Sequence, residues 1–206
     1  MTKVKICGLM NQASVEATVA AGADYLGFVF APSKRQVTPE CVRKITQNVP
    51  ENVKKVGVFV SPSFVDLQRI IEIAELDVVQ IHGEIPSMIN QVITVPLIQA
   101  LDGQANDLSQ QIMRSRANSL LLDAPSNHHQ HAGGNGQVFD WSVVARKTQQ
   151  QLQQKQFWVA GGLSAKNVQA AIHYFQPYGV DVSSAVETNG VKDIQKIQAF
   201  IQAVRG

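Results

Sequence analysis

Eight short apolar runs alternating with longer amphipathic segments predict an α/β protein, a single-domain (β/α)8 TIM barrel over residues 1–206. Three observations carry this. The runs are near-continuous in Val, Ile, Leu and Phe, as expected of parallel strands buried on both faces. The strand–helix order repeats without interruption, which implies right-handed crossovers onto one sheet. No Pro/Ser-rich linker divides the chain. Eight units in 206 residues sits at the lower end for such a barrel. A doubly wound open sheet, which usually has fewer strands, is the alternative.

The elements follow in order. VKIC (4–7) leads into NQASVEATVAAGA (11–23), which starts at polar Asn11 and stops near Gly22. DYLGFVF (24–30) precedes TPECVRKITQNV (38–49), with Thr38 as cap and Pro39 in the first helical position. KKVGVFV (54–60) precedes SPSFVDLQRIIEIAEL (61–76), with Ser63 as N-cap. DVVQIHG (77–83) is followed by EIPSMINQV (84–92), the shortest helical segment. VPLIQAL (95–101) precedes NDLSQQIMRSRA (106–117), and SLLLDA (119–124) precedes FDWSVVARKTQQQLQQ (139–154). The Gln-rich end of the latter reads as a solvated helix end rather than a linker. FWVAGG (157–162) precedes SAKNVQAAIHYF (164–175), and GVDVSS (179–184) precedes KDIQKIQAFIQAV (192–204).

Composition narrows the function classes. Hydrophobic residues make up 45% and charged residues 17%, ordinary for a soluble globular chain with a real core. A net charge of +2, with basic residues scattered, does not point to nucleic acid. Two cysteines, Cys7 and Cys41, make no disulfide framework. The N-terminus has no long apolar core, so no signal peptide is expected, and no run is long enough to span a membrane. A reducing cytoplasm is the expected compartment.

In a barrel of this kind, chemistry belongs at the C-terminal ends of the strands. That rule selects Cys7, Arg35 in the loop after the second strand, His82, Asp123, Gly161-Gly162 and Ser183-Ser184. The double glycine and the two serines follow the seventh and eighth strands, where such barrels often bind phosphate on backbone N–H groups and a helix start. Each is also readable as an ordinary tight turn. Asp123, ending an apolar strand, suits a general acid whose pKa is raised by its walls, or a plain loop anchor. Arg35 could fork onto a planar carboxylate or lie exposed. His82 is either a satisfied structural histidine or a substrate-facing group near Cys7. His128, His129 and His131, in the polar loop SNHHQHAGGNGQ, match no zinc spacing, so no metal site is expected. Cys7 reads as an inert buried thiol or as a catalytic thiolate at the barrel mouth. If it is the latter, His82 is the first neighbour to consider as its activator. Gly8 reads as a turn that spares the thiol from crowding.

The segments KICGL, LGFVFAPSKRQVTPE, VGVFV, VVQIHG, LLLDA, GGNGQVFDW, VAGGLSAKNV and GVDVSSAVETNGVKD run from residue 5 to residue 193. With them the chain resembles the phosphoribosylanthranilate isomerases of tryptophan biosynthesis. The resemblance implies a barrel performing the Amadori rearrangement of N-(5-phosphoribosyl)anthranilate to 1-(o-carboxyphenylamino)-1-deoxyribulose 5-phosphate. It implies no metal or organic cofactor. Mapped by motif, Cys7 is the general base and Asp123 the general acid. Arg35 would hold the anthranilate carboxylate, His82 would face the substrate, and Gly161, Gly162, Ser183 and Ser184 would hold the phosphate. The expected partner is this small phosphosugar, with no nucleic acid or membrane, and the expected state a monomer or homodimer. A histidine-pathway isomerase barrel is the nearest alternative, but it would carry aspartate where this chain has Cys7. A barrel that binds a phosphosugar without turnover is another. The sequence departs from the family at Ala124-Pro125, where serine commonly follows the acid. It also departs at GGNG, where GGTG is usual, and at Ala185, where glycine is frequent. Alanine tolerates positive φ less well, so either a different phosphate-loop geometry or a lower phosphate affinity is expected there.

Overall fold

The structure, a computed structural model, describes residues 1–87, 89, 93–124, 141, 144 and 146–206. Eight parallel strands close into a ring in sequence order. They are β1 (Lys3–Cys7), β2 (Tyr25–Val29), β3 (Lys54–Val60), β4 (Val78–His82), β5 (Leu97–Asp102), β6 (Ser119–Asp123), β7 (Gln156–Val159) and β8 (Gly179–Val182). The last strand pairs back onto the first, Lys5 opposite Asp181 and Ile6 opposite Val182. The closed ring excludes the open doubly wound sheet.

Helices pack outside the ring: α1 (Gln12–Ala20), α2 (Pro39–Ile45), α3 (Phe64–Ala74), α4 (Leu108–Arg114), α5 (Arg146–Gln153), α6 (Val168–Phe175) and α7 (Ile194–Arg205). The first three start where their polar residues predict. Asn11, Thr38 and Ser63 each accept a backbone N–H of the first turn with their side chains. Residues 88 and 90–92 of the helical segment predicted over 84–92, and residues 125–140 with the His-rich loop and GGNG, lie outside the described residues. The eighth unit departs from a plain strand–helix pair. A 3-10 turn (Ser184–Val186) and a two-stranded hairpin, β9 (Glu187–Thr188) and β10 (Val191–Lys192), precede α7. Asn189 and Gly190 join the hairpin, both at positive φ, as its two-residue connection requires.

Because strand side chains alternate, each strand feeds two cores. The outer core, between strands and helices, holds Leu26, Phe28, Val42, Leu67, Ile81 and Phe200, all with little or no exposure. The inner core holds Val56, Val78, Ile98, Leu121 and Trp158. Trp158 meets Tyr25 and Tyr178 edge-on, with ring centroids 4.8 and 5.3 Å away. It lies flat over Gly179, where a Cβ would come within 2.3 Å of the indole. This aromatic plug fills the N-terminal end of the barrel. Toward the C-terminal end the same inward alternation replaces apolar residues with Lys5 and Cys7, Gln80 and His82, Asp123, and Asp181 and Ser183. Arg205, ending α7, donates to the Thr2 and Gly22 carbonyls and to Asp24, tying the chain's last helix to its first strand.

Candidate active site

The mouth begins with Cys7, the last residue of β1. Its side chain is buried and unpaired in any disulfide. It lies against Gly27 on β2, its register partner, where an added Cβ would come 2.8 Å from Sγ. The glycine therefore makes room for the sulfur. Gly8 turns the chain out of the strand at φ +81°, a backbone conformation that glycine adopts without strain. The space its missing Cβ leaves is taken by Arg35, with Cδ 2.4 Å from the Cβ position. Gly8 thus makes room for the arginine.

One layer below Cys7, Lys5 is fully buried and its Nζ donates to Asp181 Oδ2 at 3.0 Å. Burial works against the Lys5 charge, but Asp181 and Cys7 outweigh it and hold the ammonium above its usual pKa. At Cys7, burial pushes the thiol pKa up, Lys5 pulls it down, Asp181 raises it and Lys192 lowers it. Burial prevails, so the thiol is the resting form. His82 does not activate it. Its pKa is pushed down to about 4 by burial and by Lys5, so the ring is neutral at pH 7. Its Nε2 lies 2.9 Å from Gln80 Nε2, an acceptor position that requires an unprotonated nitrogen.

Three strands around the ring from β1, Asp123 ends β6. Its Oδ1 accepts the Ala124 N–H at 2.8 Å. Burial first, then the Asp181 charge, pushes its pKa up to about 7, so at neutral pH much of it is the carboxylic acid.

Arg35 is also buried, and it is bidentate. Nε donates to Glu187 Oε1 at 2.6 Å and Nη2 to Oε2 at 2.9 Å. Lys192 reaches the same carboxylate at 2.7 Å and the Ser183 carbonyl at 2.9 Å. Burial opposes the Glu187 charge, but Arg35 and Lys192 hold its pKa below the usual carboxylate range. The guanidinium keeps further N–H donors for a ligand.

The loops after β7 and β8 flank this group. Gly161 and Gly162 both take positive φ, and a Cβ on Gly161 would strike the Ala124 backbone at 2.4 Å. Asn167 ties the turn by donating to the Gly162 carbonyl and accepting the Ser164 N–H. Ser183 donates its hydroxyl to the Cys7 carbonyl at 3.0 Å, and the 3-10 turn starts at Ser184. Ala185 sits inside that turn and is not among the positive-φ residues, so it adds a methyl group without the backbone strain expected from the sequence.

A family model described as N-(5′-phosphoribosyl)anthranilate (PRA) isomerase matches residues 4–203. The chain belongs to the phosphoribosylanthranilate isomerase family. An N-(5′-phosphoribosyl)anthranilate isomerase from Streptococcus mutans is 49% identical over 208 residues, covering 100% of both chains. Two solved isomerase structures are each 33% identical with 100% of both chains covered. One is a monomeric form generated from the dimeric enzyme of Thermotoga maritima, with a TM-score of 0.86. The other holds reduced 1-(o-carboxyphenylamino)-1-deoxyribulose 5-phosphate, with a TM-score of 0.85.

As a phosphoribosylanthranilate isomerase, the chain places all its sequence-selected candidates at one end of the barrel. Cys7, His82 and Asp123 end strands; Arg35, the double glycine and the two serines lie in the loops beyond. His128, His129 and His131 lie outside the described residues. The sequence reading missed Lys5, Gln80, Asp181, Glu187 and Lys192. The signal for Lys5 and Asp181 was present. Each lies two residues before a selected residue on the same strand, and a charge inside an apolar strand demands a partner. The hairpin that carries Glu187 and Lys192 was announced by Asn189-Gly190.

Proposed function

We propose that residues 1–206 form one catalytic unit that converts N-(5′-phosphoribosyl)anthranilate to 1-(o-carboxyphenylamino)-1-deoxyribulose 5-phosphate, with Asp123 as acid and Cys7 as base. The observation that carries the roles is the pair itself: a buried thiol beside a buried cation, and a carboxyl held near neutrality, in one barrel mouth. Asp123 gives its proton to the furanose ring oxygen as the C1′–O bond breaks, and the anthranilate nitrogen forms a C1′ iminium. Cys7, having lost its thiol proton to solvent, then takes the C2′ proton as the thiolate, and the released electron pair forms the enolamine. Gain of a proton at C1′ and loss of one from the C2′ hydroxyl give the ketone and restore thiolate and acid. Substrate and product are isomers, so the cycle needs no oxidant or reductant.

The anthranilate carboxylate meets Arg35, whose fork Glu187 orients. His82, neutral, faces the substrate as an uncharged hydrogen-bonding group. The phosphate lies between the Gly161-Gly162 turn and the Ser183-Ser184 turn. Free cysteines fit a cytoplasmic enzyme, and no described helix is long and apolar enough to cross a membrane. The working state is a monomer or a homodimer.

The deciding experiment generates the unstable substrate in situ and follows loss of its anthranilate-type fluorescence. Turnover by the purified chain is expected; a phosphosugar-binding barrel without activity would show none. Arg35→Ala is expected to raise KM by roughly 10–100-fold, the loss of a charge-assisted hydrogen bond, with a smaller effect on kcat. Lys192 stays on Glu187 in that variant, so the carboxylate is not orphaned. An unchanged KM would remove Arg35 from the carboxylate site.

A further inference from the structure

We propose that the buried Lys5–Asp181 pair polarises the mouth: Lys5 is the cation that favours Cys7 as thiolate, and Asp181 is the anion that favours Asp123 as acid. Both act through their neighbours, as positioning residues. The catalytic consequence rests on the roles given above; the ionisation of the thiol does not.

The geometry starts from the register. Lys5 is paired with Asp181 across the β1–β8 seam, and Cys7 follows Lys5 by two, on the same inward face. Lys5 is fully buried and Asp181 nearly so, with Nζ 3.0 Å from Oδ2. One of the three ammonium donors is thereby used, and the Cys7 side chain, two residues on along the same strand, holds the Lys5 charge further in place. Asp181 Oδ1 is buried without a hydrogen-bond partner, so its charge is incompletely satisfied by Lys5. An ion pair in this position is a poor way to fill a barrel. Replacing buried pairs with apolar residues of similar volume is often neutral or stabilising. The pair therefore calls for a role other than packing.

Its two charges act in the needed directions. At Cys7, Lys5 outranks Asp181; at Asp123, Asp181 outranks Lys5. One neutral pair thus draws the two proton affinities in the directions that acid and base require. The other charged or titratable groups around the mouth contribute less, Lys192 lowering the Cys7 pKa more weakly than Lys5 does. Lys192 approaches Cys7 from β10 but is bonded to Glu187 and Ser183. Arg35 is engaged with Glu187, His82 on β4 is neutral, and Asp102 on β5 acts on Asp123 more weakly than Lys5 does.

The test is the titration of the Cys7 thiol by its ultraviolet thiolate absorbance, without substrate. A Cys41→Ser background is used, with Cys7→Ser subtracted. Lys5→Met is expected to move the titration up by about one pH unit or more, which leaves roughly tenfold less thiolate at neutral pH. Lys5→Arg is expected to restore it. Asp181→Asn is expected to move it down, whereas the upward shift of Lys5→Met is the direction that general loosening of the site, which relieves burial, does not predict. A Lys5→Met protein that titrates like its parent overturns the proposal. Should Lys5→Met not fold, Asp181→Asn decides, and an unchanged or higher thiol titration overturns it. The kcat/KM profile supplies a second readout. With the thiol titrating above the acid, activity rises to about pH 7, holds a plateau, and falls above the thiol pKa. Lys5→Met should move the alkaline limb upward, and Asp181→Asn should move the acidic limb downward. Failure of Cys7→Ser to lose turnover would instead sink the base assignment while leaving the thiol titration interpretable.

Discussion

Cys7→Ser is expected to lower kcat by roughly 10²–10⁴-fold, the usual contribution of a positioned proton-transfer group. KM should change little, and the barrel should stay intact. The hydroxyl is smaller than the thiol and fits the space that Gly27 leaves. What it cannot do is ionise. Burial already holds the thiol mostly protonated, and Lys5 offsets that only in part. A hydroxyl starts far higher, so the same cation does not yield a usable alkoxide. Carbon-acid chemistry at C2′ then has no base. Steady-state kinetics with substrate generated in situ measure this, alongside a thermal melt to verify the fold. Turnover near that of the parent would transfer the base role to another group.

The second large effect joins activity to stability. Asp123→Asn should abolish most turnover, because an amide has no proton to give the ring oxygen. It should also stabilise the protein under alkaline conditions. The Asp123 carboxyl lies near 3.8 in an unfolded chain and at about 7 in the fold. A carboxyl whose native pKa is raised binds its proton more tightly folded than unfolded. Stability is therefore full below about pH 4, drains as pH climbs toward 7, and stays reduced above that. The difference of about three pH units corresponds to roughly 4 kcal/mol at most. Asn does not titrate, so the melting temperature of the variant relative to the parent should rise between about pH 5 and pH 8. Any fixed cost of the amide cancels in that comparison. A gap that does not change with pH would mean that Asp123 ionises normally in the fold, and a mild kinetic effect would move the acid elsewhere.

Much of the architecture was legible because it rests on local rules. Asn11, Thr38 and Ser63 cap helices with their own side chains, and the apolar runs became strands with near-residue accuracy. The strand-end rule then found Cys7, His82 and Asp123. The partners of these residues were harder to read. Lys5 and Asp181 are 176 positions apart, and only closure of the ring brings β1 beside β8. Arg35 and Glu187 are separated by 152 positions, and their contact needs a hairpin the strand–helix pattern does not contain. His82 was suggested as activator because histidine titrates near neutrality. In the fold, burial beside a lysine holds its ring neutral.

The position of that seam has a consequence for biogenesis. A ribosome delivers Cys7 on the first strand of the barrel and Asp181 only on the eighth. Until the eighth strand docks, Lys5 has no buried counter-charge, Arg35 has no Glu187, and Ser183 cannot bond the Cys7 carbonyl. The nascent barrel therefore carries Cys7 without its completed surroundings until β8 is in place. Its reactive centre comes into being in a single late event, the same one that seals the barrel.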